Sequence, residues 1–283
     1  MSGYLTGIFV LLALNVIAAY AVYLPIAAGQ LNLGIAGFMA VGAYAAAYLT
    51  NALNWPVHAA IGAGGVSAAL VAVAVAIPIL RTQGVYLSLA TFALGQVISA
   101  TILNLEVVGG AAGYPVSVHI GPTVVVVAAA LVVALVRLLA TTRFSLYLAA
   151  VKNDPVVSDL LGLNVRAIGV AALTAGAGIA GVGGALFAHY FNYIEAQYFG
   201  VMLSTYTVLY VLLGGTQSVW GPLVGATVFT LLPELLRSSS QWRYALFALF
   251  IIVFMALRPQ GMITSGMSRY FARPSGQSGA SSP

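Results

Sequence analysis

The sequence has almost no charge. Of its 283 residues, 5% are Asp, Glu, Lys or Arg and 61% are hydrophobic, against about 25% charged in an ordinary globular chain. Ten Lys and Arg with five Asp and Glu cannot cover a water-soluble globule of this length, and no charged side chain precedes Arg81. A soluble fold is excluded, and the chain reads as an integral membrane protein. Cysteine is absent, which excludes disulfides, thiolate metal sites and cysteine nucleophiles. The only lysine, Lys152, lies outside any Gly-x-x-x-x-Gly-Lys-Ser/Thr loop, so the chain has no phosphate-binding loop of that type. The long apolar runs carry no internal charge that would serve a carboxylate proton relay or a voltage sensor, which disfavours ion-coupled transport. No metal or cofactor site is expected. A net charge of +5 in such a protein reports orientation, and no nucleic-acid partner is expected.

What is present is long apolar runs. Hydrocarbon about 30 Å thick takes roughly 20 apolar residues per helical crossing, and these runs lack the period-2 alternation of a barrel. The expected class is an all-α, polytopic transmembrane helix bundle. Runs between polar or Pro/Gly breaks give Tyr4 to Leu24, Ile26 to Leu49, Val57 to Leu80, Val85 to Leu105, Pro122 to Ala140 and Ala167 to Tyr190. Three shorter runs follow, Val201 to Leu213, Pro222 to Leu236 and Tyr244 to Leu257, which suit short spans, half-helices or a re-entrant pair; the total is eight or nine crossings. The opening residues lack a basic region and continue into the first run, so they read as a span rather than a cleaved signal. Residues 1–263 form the expected membrane domain, with a cytoplasmic loop at 141–166. The Ser/Gly/Pro-rich stretch 264–283 has no apolar face to bury and is expected to be a disordered cytoplasmic tail.

Short loops rich in Lys and Arg stay cytoplasmic. Arg81, Arg137, Arg143, Lys152, Arg166, Arg258, Arg269 and Arg273 fall on one side, and Arg237 and Arg243 dissent. This count puts Asn51 to Pro56, Glu106 to Gly121 and Phe191 to Gly200 outside, with Glu106 and Glu195 among them, and the carboxyl end inside.

Two stretches carry the chemistry. In Lys152-Asn153-Asp154-Pro155-Val156-Val157-Ser158-Asp159-Leu160-Leu161-Gly162, Asp154 is an N-cap, Pro155 takes the first helical position and Gly162 terminates. Val156, Val157, Leu160 and Leu161 then share one apolar stripe while Ser158 and Asp159 face elsewhere. The stripe either rests on the membrane or the chain's own bundle, or docks in a groove of a cytoplasmic partner. In Gly29-Gln30-Leu31-Asn32-Leu33-Gly34-Ile35-Ala36-Gly37, glycines and amides weaken the helix. Either a broken helix offers dipoles to a polar solute, or the glycines and amides serve helix packing. Gln217 and Gly221 repeat the spacing of Gln30 and Gly34, and Gly42-Ala43 and Gly225-Ala226 follow them. Such paired interruptions are expected of an inverted internal repeat with broken helices. Gln96 and Asn104, with Thr91, either line a polar path or bond to adjacent helices.

Simpler readings cover the rest. Ala172, Gly176, Ala180 and Gly184, beside Ala177, Gly181 and Ala185, read as close bundle packing. His58, His119 and His189 read as satisfied interfacial histidines, and Glu234 with Arg237 as an interfacial pair. Tyr190, Tyr193, Tyr198, Trp220, Trp242 and Tyr244 read as an aromatic belt.

Over nearly its whole length the sequence resembles the permease subunits of branched-chain amino-acid ABC importers. The resemblance is carried by AGQLNLGIAGFMAVGAY from Ala28, GVYLSLATFALGQVI from Gly84, FSLYLAAVKNDPVVSDLLGLNV from Phe144, LGGTQSVWGPLVGATVFTLLPELLR from Leu213 and RPQGM from Arg258. The Gly84 stretch and Arg258-Pro259-Gln260-Gly261 look like the M-type member of the permease pair. The resemblance implies a second related permease, two cytoplasmic ABC ATPases that bind ATP and magnesium, an external substrate-binding protein, and a bacterial inner-membrane location. It implies that Asp154, Pro155, Val156, Val157, Asp159, Leu160, Leu161 and Gly162 form the coupling helix seated in the ATPase. The sequence departs from the family there, with Pro155 where Glu is usual and Val157 and Ser158 where alanines are usual.

The expected function is therefore a permease subunit with no covalent chemistry of its own, moving a branched-chain amino acid or related small polar solute past Gln30, Asn32, Gly34, Thr91, Gln96 and Gln217. Alternatives are a urea or short-amide permease of the same family and a stand-alone channel for a neutral solute. An intramembrane enzyme lacks nucleophile-base pairs or metal ligands in the spans.

Overall fold

The structure is a computed structural model and describes residues 2–82, 84–236, 243–258 and 261–263. Six helices are long and apolar enough to cross a membrane. They are α1 (Ser2–Ala27), α2 (Ile35–Leu53), α3 (Val57–Ile79), α4 (Val85–Leu103), α5 (Pro122–Thr141) and, later, α8 (Val165–Phe191). Between α5 and α8 lie α6 (Arg143–Asn153) and α7 (Pro155–Leu160), and the chain closes with α9 (Val201–Gly214), α10 (Gly221–Leu235) and α11 (Arg243–Leu257). The six long runs and three short runs read from the sequence are all helices. At 1.5 Å per residue α9 and α10 are each only about 21 to 23 Å long, short of the hydrocarbon thickness.

One boundary differs from the sequence reading. The first helix continues through Pro25 to Ala27 and the second begins at Ile35 rather than Ile26. Gly29 sets the stop: at φ +79° it takes the left-handed position, its N–H bonds Ile26 O at 3.0 Å and the Gln30 N–H bonds Pro25 O at 2.9 Å. That pair of bonds is a glycine-terminated helix end, so the chain breaks between two helices rather than within one.

The bundle is organised around α8, which packs on α1, α2 and α3. Added Cβ atoms at Gly184 and Gly181 would strike Met39 O of α2 and Gly64 O of α3 respectively. The small-residue rows therefore serve helix packing, as expected of membrane interfaces. Two polar contacts, from Asn15 Nδ2 donating to Thr230 Oγ1 at 2.9 Å and from the Tyr20 hydroxyl donating to Val219 O at 2.8 Å, fix α1 against α10.

One end gathers the three loops that the charge count places outside. A two-residue antiparallel pairing joins β1 (Tyr114–Pro115) to β2 (Tyr193–Ile194). Asn51 bonds both Pro115 O and Ser117, and His119 Nδ1 meets Asn192 Oδ1 at 2.7 Å. Buried His189 lies 3.2 Å from Thr50 Oγ1 and 2.8 Å from Ala185 O, so His189 and His119 are satisfied, as expected. The opposite end gathers the 28–34 break, the α3–α4 turn and α6–α7. The α9–α10 turn lies at this end too, since Arg137 near the end of α5 stacks over Trp220 at 5.1 Å. The two glutamine-glycine stretches thus lie at the same end, each between a helix running inward and one running outward. They are not an inverted pair. Arg237, Trp242, Arg269, Arg273 and the tail 264–283 lie outside the described residues, so the Glu234–Arg237 pair and the tail expectation do as well.

Candidate functional site

The site is built on the break at 28–34. A helix start leaves N–H groups without intrahelical acceptors; α2 begins at Ile35, and its N-cap residue Gly34 makes no side-chain cap. Three side chains hold the backbone that enters and opens the helix. Asn32 Oδ1 accepts the Gly34 N–H at 2.8 Å, Thr91 Oγ1 of α4 accepts the Leu33 N–H at 3.1 Å and Ser204 Oγ of α9 accepts the Ala36 N–H at 3.1 Å. Thr91 in turn donates to Ser88 O at 3.0 Å. Gly34 lies so close to α4 that a Cβ there would strike Thr91 O. The break is therefore clamped between α4 and α9.

This modifies the expectation that the broken helix exposes backbone dipoles. The Leu33, Gly34 and Ala36 N–H groups are already bonded. Two side-chain atoms of the break, Gln30 Oε1 and Asn32 Nδ2, are buried and unbonded. Gln30 is 9% exposed, Asn32 1% and Thr91 1%. An unsatisfied buried acceptor and donor each cost about 1–3 kcal/mol, which a polar solute with complementary groups would recover.

Four of the six predicted path residues, Gln30, Asn32, Gly34 and Thr91, come together at this break. Gln96 and Gln217 do not. Gln96 is on the exposed side of α4, because Thr91, Gly95, Ile98, Ser99 and Ile102 occupy the buried face. Gln217 is exposed on the turn between α9 and α10. Asn104, also considered for the path, donates to Ala100 O at 2.7 Å on the exposed side of α4. Ser204 was missed by sequence reading, and a lone serine in an apolar run gives little signal for it.

The second region is α7. Asp154 Oδ1 accepts the N–H groups of Val156 at 2.9 Å and Val157 at 3.0 Å, Pro155 occupies the first turn and Gly162 closes the helix at φ +83°. The apolar stripe points away from this chain: Val156, Val157, Leu160 and Leu161 are 68%, 49%, 81% and 75% exposed, while Ser158 is buried. Its own bundle does not receive the stripe. The preceding helix α6 lies where the sequence reading expects a loop. Phe144, Leu148 and Val151 were its signal, at helical spacing, and Leu148 packs with Ala28 and Ala172 while Phe144 leans on them.

A cleft of about 970 Å³ opens between these two regions, lined by Gln30, Leu80, Thr82, Leu87, Lys152, Asp159, Leu163 and Arg166 among others. Lys152 lies over Gly29, where a Cβ would sit 3.3 Å from Lys152 Cα. Partial burial lowers the Lys152 pKa below its ordinary value. Among the described residues no cluster of three or more His, Cys, Asp or Glu side chains could hold a metal.

Residues 4–257 match the protein family described as branched-chain amino acid transport system / permease component. The high-affinity branched-chain amino acid transport system permease protein LivM of Escherichia coli (strain K12) is 26% identical over 297 residues, covering 92% of this chain and 68% of its own length. LivM of Salmonella typhimurium (strain LT2) is 25% identical over 271 residues, covering 83% of this chain and 64% of its own length. The chain spans about two thirds of the length of these relatives. No solved structure matches it at a significant level. With six helices of membrane-spanning length inside a family match that runs from the first of them through the last helix, the chain belongs to the branched-chain amino acid transport system permease family.

Proposed function

We propose that this chain is the membrane permease subunit of an ATP-driven importer in a bacterial inner membrane, moving branched-chain amino acids into the cytoplasm. The observation that carries the reading is the α7 stripe. Val156, Val157, Leu160 and Leu161 are held outward on a helix capped at both ends, and four exposed apolar side chains on a short rigid knob suit a groove in a cytoplasmic partner. In this reading the partners are two ATPase subunits, which bind ATP and magnesium, a second related permease and an external binding protein. The cargo class follows the printed names of the family and of the two LivM relatives.

The chain itself does no covalent chemistry here. ATP-driven closure of the ATPases moves α7, and the movement reaches the break because Lys152, at the end of the helix before α7, lies over Gly29. Gln30 and Asn32 offer an acceptor and a donor, enough to guide a zwitterion and too little to retain it, so specificity rests with the external binding protein. Co-purification from native membranes in mild detergent, followed by mass spectrometry, tests the assembly. Recovery of a second permease and an ATPase is expected; recovery of this chain alone would overturn it.

A further inference from the structure

In a chain with ten Lys and Arg and five Asp and Glu, three charged side chains line one cleft: Lys152, Asp159 and Arg166. Among the described residues none of the three has an ion-pair partner. The Gln30 amide lines the same cleft, more than nine-tenths buried, and its oxygen accepts no hydrogen bond. Leu80, Leu87 and Leu163 supply apolar wall. Two cations, a separate carboxylate, an unfilled acceptor and a leucine-lined wall complement a carboxylate, an ammonium and an aliphatic side chain. A site for inorganic phosphate or an anionic lipid headgroup would not carry Asp159. The volume of about 970 Å³ lies within the range of small-molecule pockets.

We infer that this cleft is a low-affinity cytoplasmic site for a free branched-chain α-amino acid, through which cytoplasmic product acts back on the importer. Lys152 and Arg166 take the carboxylate, Asp159 and Gln30 Oε1 take the ammonium. Pro155, Asp159 and Gly162 of the α7 segment form part of the wall, so an occupied cleft resists movement of that segment. The inference rests on the cargo reading above.

The test uses the complete importer in proteoliposomes with its cytoplasmic face outward. This chain has no native cysteine, so Thr82→Cys places a single thiol at the cleft for a membrane-impermeant maleimide, followed by mass spectrometry of this chain. At ten times a dissociation constant of about 1 mM, leucine added to the bath is expected to slow labelling about tenfold. Leucinol, lacking the carboxylate, and 4-methylpentanoate, lacking the ammonium, are expected to leave it unchanged. Arg166→Gln is expected to abolish protection and retain leucine transport. Labelling indifferent to leucine while leucine transport is intact would overturn the inference alone. Equal protection by leucinol or by 4-methylpentanoate would overturn zwitterion recognition, and protection by inorganic phosphate or phosphatidylglycerol without leucine would make the cleft an anion site. An importer that transports no leucine would overturn the cargo reading first.

Discussion

Thr91 ties the segment that enters α2 to another helix. Its hydroxyl accepts the Leu33 N–H and donates to Ser88 O, so Thr91→Val leaves a buried N–H without an acceptor. The expected loss is about 1–3 kcal/mol, read as earlier thermal aggregation in detergent, whereas Thr91→Ser is expected to behave as wild type. Loss in Thr91→Ser with none in Thr91→Val would mean that the methyl packing matters and the bond does not. Lys152 offers a second test at this scale. It is the chain's only lysine, and desolvation lowers its pKa. Between its folded value and the ordinary 10.5, the unfolded chain holds a proton that the folded chain has lost. Raising pH through that window therefore favours the folded state. The rate of Lys152 acetylation against pH should show a midpoint below 10.5; a midpoint at or above it would contradict burial of the amine. Sequence alone gave no sign of this shift, because burial of the Lys152 amine comes from packing that the local sequence does not specify.

At the scale of elements, legibility followed how local the cause was. The ends of α7 were readable because Asp154, Pro155 and Gly162 act within one turn of themselves, and both caps form where expected. Asp154→Ala should cost about 1 kcal/mol and raise amide exchange over Val156 to Leu161 about fivefold; unchanged exchange would show the helix is held by packing alone. The packing rows of α8 were readable for the same reason, being regular in sequence. Their prediction is a contrast. Gly184 abuts the α2 backbone at Met39 O, while a Cβ at Gly178 would meet only ordinary contacts at 3.6 Å. Gly184→Ala should lower stability by about 1–3 kcal/mol and Gly178→Ala should be tolerated, with gel-filtration profiles after heating as the readout. Similar profiles would remove α8 from its central place. What could not be read was which polar residues face one another. Gln96 and Gln217 have the same side chain as Gln30, and the turn of α4 and the position of the α9–α10 hairpin decide that they lie on exposed surface.

For the whole molecule, the clamped break and the α7 knob lie toward the same end, with the cleft between them. The opposite end is tied by β1, β2, Asn51 and Asn192. This asymmetry fits an account in which one end is held by loop pairing and the other is pushed through α7. A stand-alone channel has no use for the exposed stripe. The most direct measurement is solute uptake by the reconstituted complex, with and without ATP, for wild type and Leu160→Asp. Leu160 is 81% exposed, so the substitution leaves the bundle's core untouched. The account predicts uptake in wild type only with ATP, and loss of that ATP-driven uptake in Leu160→Asp although the protein still folds. Flux indifferent to both ATP and Leu160 would contradict it.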